Sequence, residues 1–305
     1  MSPTEFFADH TFSMVFFGTG VIGIVAGALG SFAYLRRQSL ISDVISHSAL
    51  PGTLIAFLTL SALGLYARNM LALIIGAVII GTLAVLTTNW IPRISKIKTD
   101  TAMAVVLSSL FGLGMLLMQY IQNNPLPDKG GIQDYLFGNA STITRVDLTV
   151  SLLTGGLALA LMLLLWKEFA ITTFDREHAA VLGFNNRLID AAMFAAIAVA
   201  TVIGVKAIGL VLMVSFVVTP PAAARQWTTT LPGMVVLAGV IGGVGSAAGT
   251  YLSIAFGPLP TGPVIAVTLF AIFLFSLLAA PERSLIVRAA RRRKARAELK
   301  AVSLS

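Results

Sequence analysis

Long apolar stretches alternate with short polar ones along the whole chain. Apolar runs fall at about 13–35, 40–64, 70–89, 101–121, 147–166, 188–224, 233–256 and 263–280. A run of ~20 such residues crosses a bilayer as a helix. The stretch LALIIGAVIIGTLAVL (71–86) is apolar on every side, whereas a barrel strand would alternate polar and apolar residues. The pattern predicts an all-α polytopic membrane protein. The run 188–224 stands apart, because helical throughout it would measure ~55 Å, too long for one ordinary span. Gly204 and Gly209, with Lys206 between them, predict a break there. Two elements in this region give about nine membrane elements (8–9) in all, and a doubled segment is similar to the broken helices that line transport pathways.

Charge orients these elements. LRRQ (35–38) and PRISKIK (92–98) are basic, and basic flanks mark the cytoplasmic side. The N-terminus and NNPLPDKGG (123–131) are then outside. The mixed-charge segment 166–187 is inside, and so is the C-terminus. Eight basic residues lie between Arg283 and Lys300, directly after the last apolar run. That placement assigns the net charge of +8 to a cytoplasmic flank rather than to nucleic-acid binding. The chain divides into a transmembrane region (1–282) and a basic cytoplasmic tail (283–305). The start, MSPTEFFADH, has no Lys or Arg and makes a poor signal-peptide n-region, so 14–35 reads as a retained span.

Composition agrees. Of the 305 residues 57% are hydrophobic and 11% charged, against about a quarter charged in soluble domains. There is no cysteine, hence neither disulfide nor thiolate metal site. Gly20, Gly23, Gly27 and Gly30 form one small-residue stripe, and Gly242, Ser246 and Gly249 another. Such spacing lets helices approach closely in lipid. GTGVIG (18–23) matches the dinucleotide fingerprint, with Asp43 twenty residues on. No strand precedes it, so it reads as packing.

Chemistry is sparse. No Gly-Lys dipeptide occurs, so a Walker A loop is absent. The three histidines, His10, His47 and His178, form no H-E-x-x-H motif. What remains is SLISDVISHSALPG (39–52), where Asp43 and His47 share one helix face. With Arg37 at the cytoplasmic interface, ~15 Å of helix carries His47 to mid-membrane. Intramembrane ionisable groups line cavities or pathways by default, and carboxylate with imidazole suits Zn²⁺ or Mn²⁺. Pro51 has no N–H for the His47 carbonyl, which leaves that backbone oxygen as a third candidate ligand. The alternative is structural: Asp43 caps the helix and hydrogen-bonds His47. Lys206 is read as snorkelling to the outer interface, and 167–187 as either a solvated loop or a docking helix.

At these residues the chain resembles the permease subunits of ATP-driven divalent-metal importers, the manganese/zinc ABC permease family. LRRQSLISDVISHSALPGTLIAF, QDYLFGNASTITRVD (133–147) and VKAIGLVLMVSFVVTPPAAAR (205–225) carry the resemblance, which covers nearly the whole chain. It implies a fold like the vitamin B12 importer permease (type II ABC importer), minus one helix. It implies that Asp43 and His47 coordinate the metal in transit, with no tightly bound cofactor. It also implies a second permease, identical or paralogous, an ATP-hydrolysing cytoplasmic ATPase and an extracytoplasmic metal-binding protein. The setting is a prokaryotic cell membrane, with 175–187 as the coupling helix. Lys206 departs from the neutral polar residue expected there. The expected function is import of Mn²⁺, or else Zn²⁺ or Fe²⁺. Rival readings are a permease for iron–siderophore, haem or cobalamin, and a stand-alone carrier or intramembrane enzyme.

Overall fold

The computed structural model describes residues 9–38, 40–127, 129–130, 144–209, 212–257 and 259–281, with the side chains of 206–208 left aside. The reading of Lys206, most of QDYLFGNASTITRVD and the basic tail therefore lie outside the described residues. Regular structure among them is entirely α-helical. In chain order the helices are α1 (His10–Leu35), α2 (Ile41–Ala62), α3 (Met70–Ile94), α4 (Thr99–Asn123), α5 (Arg145–Leu164), α6 (Trp166–Phe174), α7 (Arg176–Val181), α8 (Asn186–Ile208), α9 (Met213–Trp227), α10 (Leu231–Ala255) and α11 (Thr261–Ala279). Eight are long and apolar enough to cross a membrane. The 15-residue α9 reaches only ~22 Å and makes the ninth element.

Local chemistry sets the helix ends. Asp9 caps α1 by accepting from the Thr11 amide at 2.8 Å. Thr144 and Asp147 form a reciprocal capping box on α5, which satisfies two amides that would otherwise be orphaned. The apolar run 188–224 is divided as its length requires, at the far end of the expected break (204–209). Helix α8 continues through Gly204 and Lys206 and stops at Gly209, whose φ of 86° is a left-handed conformation that glycine adopts without strain.

Small residues decide which helices meet. A methyl group built on Gly23 would lie 2.2 Å from the Gly242 carbonyl oxygen, and one on Gly27 2.4 Å from that of Ala238. The two stripes thus pack on each other, α1 against α10, and Thr19 Oγ1 bonds Thr250 Oγ1 across the same seam at 2.8 Å. GTGVIG is part of this packing seam. Gly249 has turned away from it to face Ile265 of α11. A second close crossing, Gly52 on Gly76, joins α2 to α3. Dispersion packing of this kind replaces the hydrophobic effect between helices in lipid.

One end of the bundle collects the turn after α1, the C-terminus of α3, the α6–α7 segment and the start of α8. Gln38 Nε2 donates to Asn89 Oδ1 at 2.7 Å, and Arg36 Nη2 to Thr172 Oγ1 at 3.1 Å. Tyr34 and Leu35 pack with Ala224 and Met234, so α9 ends and α10 begins here too. At the opposite end Arg145 Nε donates to His10 Nε2 at 2.8 Å. Helix α8 therefore leaves the first end and α9 returns to it, as the two-element reading of 188–224 requires.

Candidate functional site

Helix α2 begins at Ile41 after a turn in which the Gln38 carbonyl accepts from the Ile41 amide at 3.0 Å. From residue 41 to 54 every position is buried except two, Asp43 and His47, which are half-buried. They stand one helical turn apart on one face, as their spacing requires. Leu40, one turn before Asp43, is 43% exposed, while Leu50 and Leu54 beyond His47 are sealed at 3% and 0%. The face is thus open at its Arg37 end and closed past His47.

The structural alternative for this pair is not what the fold builds. The N-cap position is Leu40, and no side chain caps α2. Among the described residues no ion pair or hydrogen bond joins Asp43 to His47. His47 Nδ1 is buried with no partner among them. The imidazole is held instead by an edge-on contact with Phe111 of α4, with ring centroids 4.9 Å apart and planes at 85°. Pro51 lies inside α2 and is buried, so it cannot donate to the His47 carbonyl. No cluster of three or more His, Cys, Asp or Glu occurs among the described residues. The arrangement offers one carboxylate, one imidazole and a backbone oxygen, an open set that can hold and release a divalent cation. His10 and His178 lie on other helices, α1 and α7, and do not join it.

A second constellation went unnoticed in the sequence. Asp190, 4% exposed in the first turns of α8, receives Arg36 Nη1 on Oδ1 at 2.6 Å and Arg176 Nη2 on Oδ2. The Arg36 guanidinium also lies 5.6 Å from the Phe194 ring centroid, within cation–π range. Burial pushes the Arg36 pKa down from its ordinary value, and the adjacent Asp190 carboxylate pulls it back up. The signal was available: a lone aspartate at the head of an apolar run obeys the same rule as Asp43.

The segment expected to dock a partner is two short helices. Helix α6 follows α5 almost without interruption. Asp175 then caps α7 by accepting from the His178 amide at 2.8 Å, and Gly183 ends it with φ 85°. Phe174, Val181 and Leu182 are exposed, Val181 at 84%, beside the exposed Glu177 and His178.

Eight helices long and apolar enough to cross a membrane thus carry a half-open polar face and, at one end, a short exposed helix. Residues 8–280 match the model of the ABC 3 transport family, and the chain belongs to that family. It is 38% identical over 288 residues to the zinc transport system membrane protein TroC of Treponema pallidum, covering 94% of this chain and 95% of the relative. It is also 38% identical over 274 residues to the manganese transport system membrane protein MntC of Bacillus subtilis, covering 90% of this chain but only 62% of that longer relative. Among solved structures, PsaBC from Streptococcus pneumoniae in complex with Fab superposes with a TM-score of 0.79 at 29% identity, over 92% of this chain and 98% of that one. The expected all-helical ABC importer permease fold and multi-pass membrane location hold.

Proposed function

We propose that this chain is the membrane permease subunit of an ATP-driven importer of divalent metal ions, Mn²⁺ first, with Zn²⁺ and Fe²⁺ as the other candidates. The observation that carries the proposal is the Asp43–His47 face: two side chains of metal-ligating type, with no hydrogen bond or ion pair among the described residues, half-open in a stretch (41–54) that is otherwise buried. Groups of this kind are costly in a membrane and persist where a pathway uses them. The names of the relatives, manganese and zinc transport systems, point to the same cargo class.

In this reading Asp43 and His47 hold the cation in passing, and the His47 carbonyl, freed by Pro51, assists. Carboxylate and carbonyl oxygens favour the harder Mn²⁺, and imidazole admits Zn²⁺. The partners are a cytoplasmic ATPase that hydrolyses ATP, an extracytoplasmic metal-binding protein, and a second permease, identical or paralogous. Across a two-fold axis that second permease would present the same patch, doubling an incomplete ligand set. Residues 167–187 form the coupling segment, with α7 and its exposed apolar residues seating in the ATPase. The N-terminus is outside and the C-terminus cytoplasmic, as the basic turns after α1 and α3 require.

The test is metal uptake in cells carrying Asp43→Ala or His47→Ala at wild-type membrane levels. Loss of at least ~100-fold is expected, the upper end of what disturbing even an outer-sphere partner of a metal ligand costs. Wild-type uptake in both variants would sink the site. Undiminished transport of a metal chelate in the double variant would transfer the assignment to a siderophore, haem or cobalamin permease.

A further inference from the structure

Three helix ends, one of them 154 residues away, converge on one carboxylate. Asp190 holds Arg36, the residue that ends α1, and Arg176, the first residue of α7. Arg36 is also seven residues before Asp43 along the chain. Arg37 adopts a left-handed φ of 57°, its amide donates to the Tyr34 carbonyl at 3.0 Å, and Gln38 is pinned to Asn89 of α3. A short link thus joins the Arg36 end of α1 to the first turn of α2, where Asp43 stands. The two arms on Asp190 differ. The Arg36 and Asp190 side chains are 7% and 6% exposed, a sealed pair, whereas Arg176 is 41% exposed. Water competes for the outer arm and not for the inner one.

We propose that Asp190 is the positioning residue through which the coupling helix controls the metal pair: Arg176 binds it in one transport state and releases it in the other, while Arg36 stays bound and re-aims the α1–α2 turn. The inference rests on the transport reading above and deepens it. A two-armed carboxylate with one fixed and one exchangeable partner is a two-state element that both ends can bias, which is what coupling between distant sites requires.

The chain has no cysteine, so Leu40→Cys introduces a single reporter at the exposed N-cap of α2. The permease assembled with its ATPase in liposomes is labelled with a maleimide, with and without ATP. ATP is expected to change the labelling rate about fivefold or more in the Leu40→Cys protein, and by less than about twofold once Asp190→Asn is added, with ATP hydrolysis kept within about twofold. Asp190→Glu, which keeps the charge, restores most of the response. An ATP response that survives Asp190→Asn overturns the inference. So does a loss of response shared equally by Asp190→Glu. Should Asp190→Asn not assemble with the ATPase, Arg176→Gln decides on the same readout: response lost supports the joint, response retained overturns it. Metal uptake by the unsubstituted complex is scored separately. Its absence for both Mn²⁺ and Zn²⁺ overturns the cargo assignment, while the thiol response still decides the joint.

Discussion

Arg36 with Asp190, and Asp43 with His47, both place ionisable groups against apolar helices, and Arg36 stands only seven residues before Asp43. The first set is sealed and ion-paired: donor faces acceptor at 2.6 Å, both side chains are below a tenth exposed, and only Arg36 Nε is left without a partner among the described residues. The second is half-open, and His47 Nδ1 has no partner among the described residues. A buried charge costs several kcal/mol unless it is paired. The sealed set therefore answers to the fold, and the open set to whatever enters the face. The difference separates two kinds of polar residue in a membrane helix: those that hold helices together, and those left free for a ligand.

The largest way to break this comparison is to unpair the sealed set. Arg36→Met leaves Asp190 with the outer arm alone and is expected to cost about 3–5 kcal/mol, the usual result of stranding one partner of a buried pair. Thermal unfolding of the detergent-purified protein reads it. A loss below about 1 kcal/mol would mean that water reaches Asp190 and that the two sets are less different than their burial implies.

The open set should respond in the opposite sense. Asp43→Ala removes a group that bonds nothing described in the fold, so stability should move by no more than about 0.5 kcal/mol, while His47→Ala also gives up the Phe111 contact and should cost about 0.5–1.5 kcal/mol. Uptake is where they fail. A steep drop in the unfolding midpoint of either variant would show that the pair holds the fold together and is not free for a cation.

How much of this the sequence disclosed follows from what local pattern can encode. The spans were legible because apolar length is a local property. The division of 188–224 was legible because 37 residues exceed one bilayer crossing, and its place at Gly209 falls within the break expected at 204–209. The glycine stripes announced close packing but not their partners. That Gly23 meets Gly242 depends on a crossing of helices more than two hundred residues apart. Asp43 and His47 were visible through their i, i+4 spacing. Asp190 carried the same signal alone, and a lone aspartate gives no spacing to read. Arg36 read as a marker of sidedness, because its partner lies 154 residues away. The hydrogen bond imagined between Asp43 and His47 was the inference that local spacing most encouraged, and the fold does not make it.

Phe111 offers the smallest and sharpest test of the open set, because it touches the pair without contributing a ligand. Its ring packs partly buried between the cluster of α1, α8, α9 and α11 and the cluster of α2, α3 and α4, and its contact with His47 is edge-on at 4.9 Å. Edge-to-face aromatic contacts contribute about 0.5–1.5 kcal/mol beyond buried area. Phe111→Leu keeps the apolar volume approximately and removes that contact, so the imidazole loses its fixed orientation but not its nitrogen atoms. Half-saturation of uptake should rise by ~2- to 10-fold, the same energy expressed as an equilibrium ratio, with the maximal rate little changed. Phe111→Tyr, which restores a ring, should return the wild-type value. If Phe111→Leu lowers the maximal rate instead, the ring belongs to the moving parts between α2 and α4, and His47 is oriented by something other than its packing.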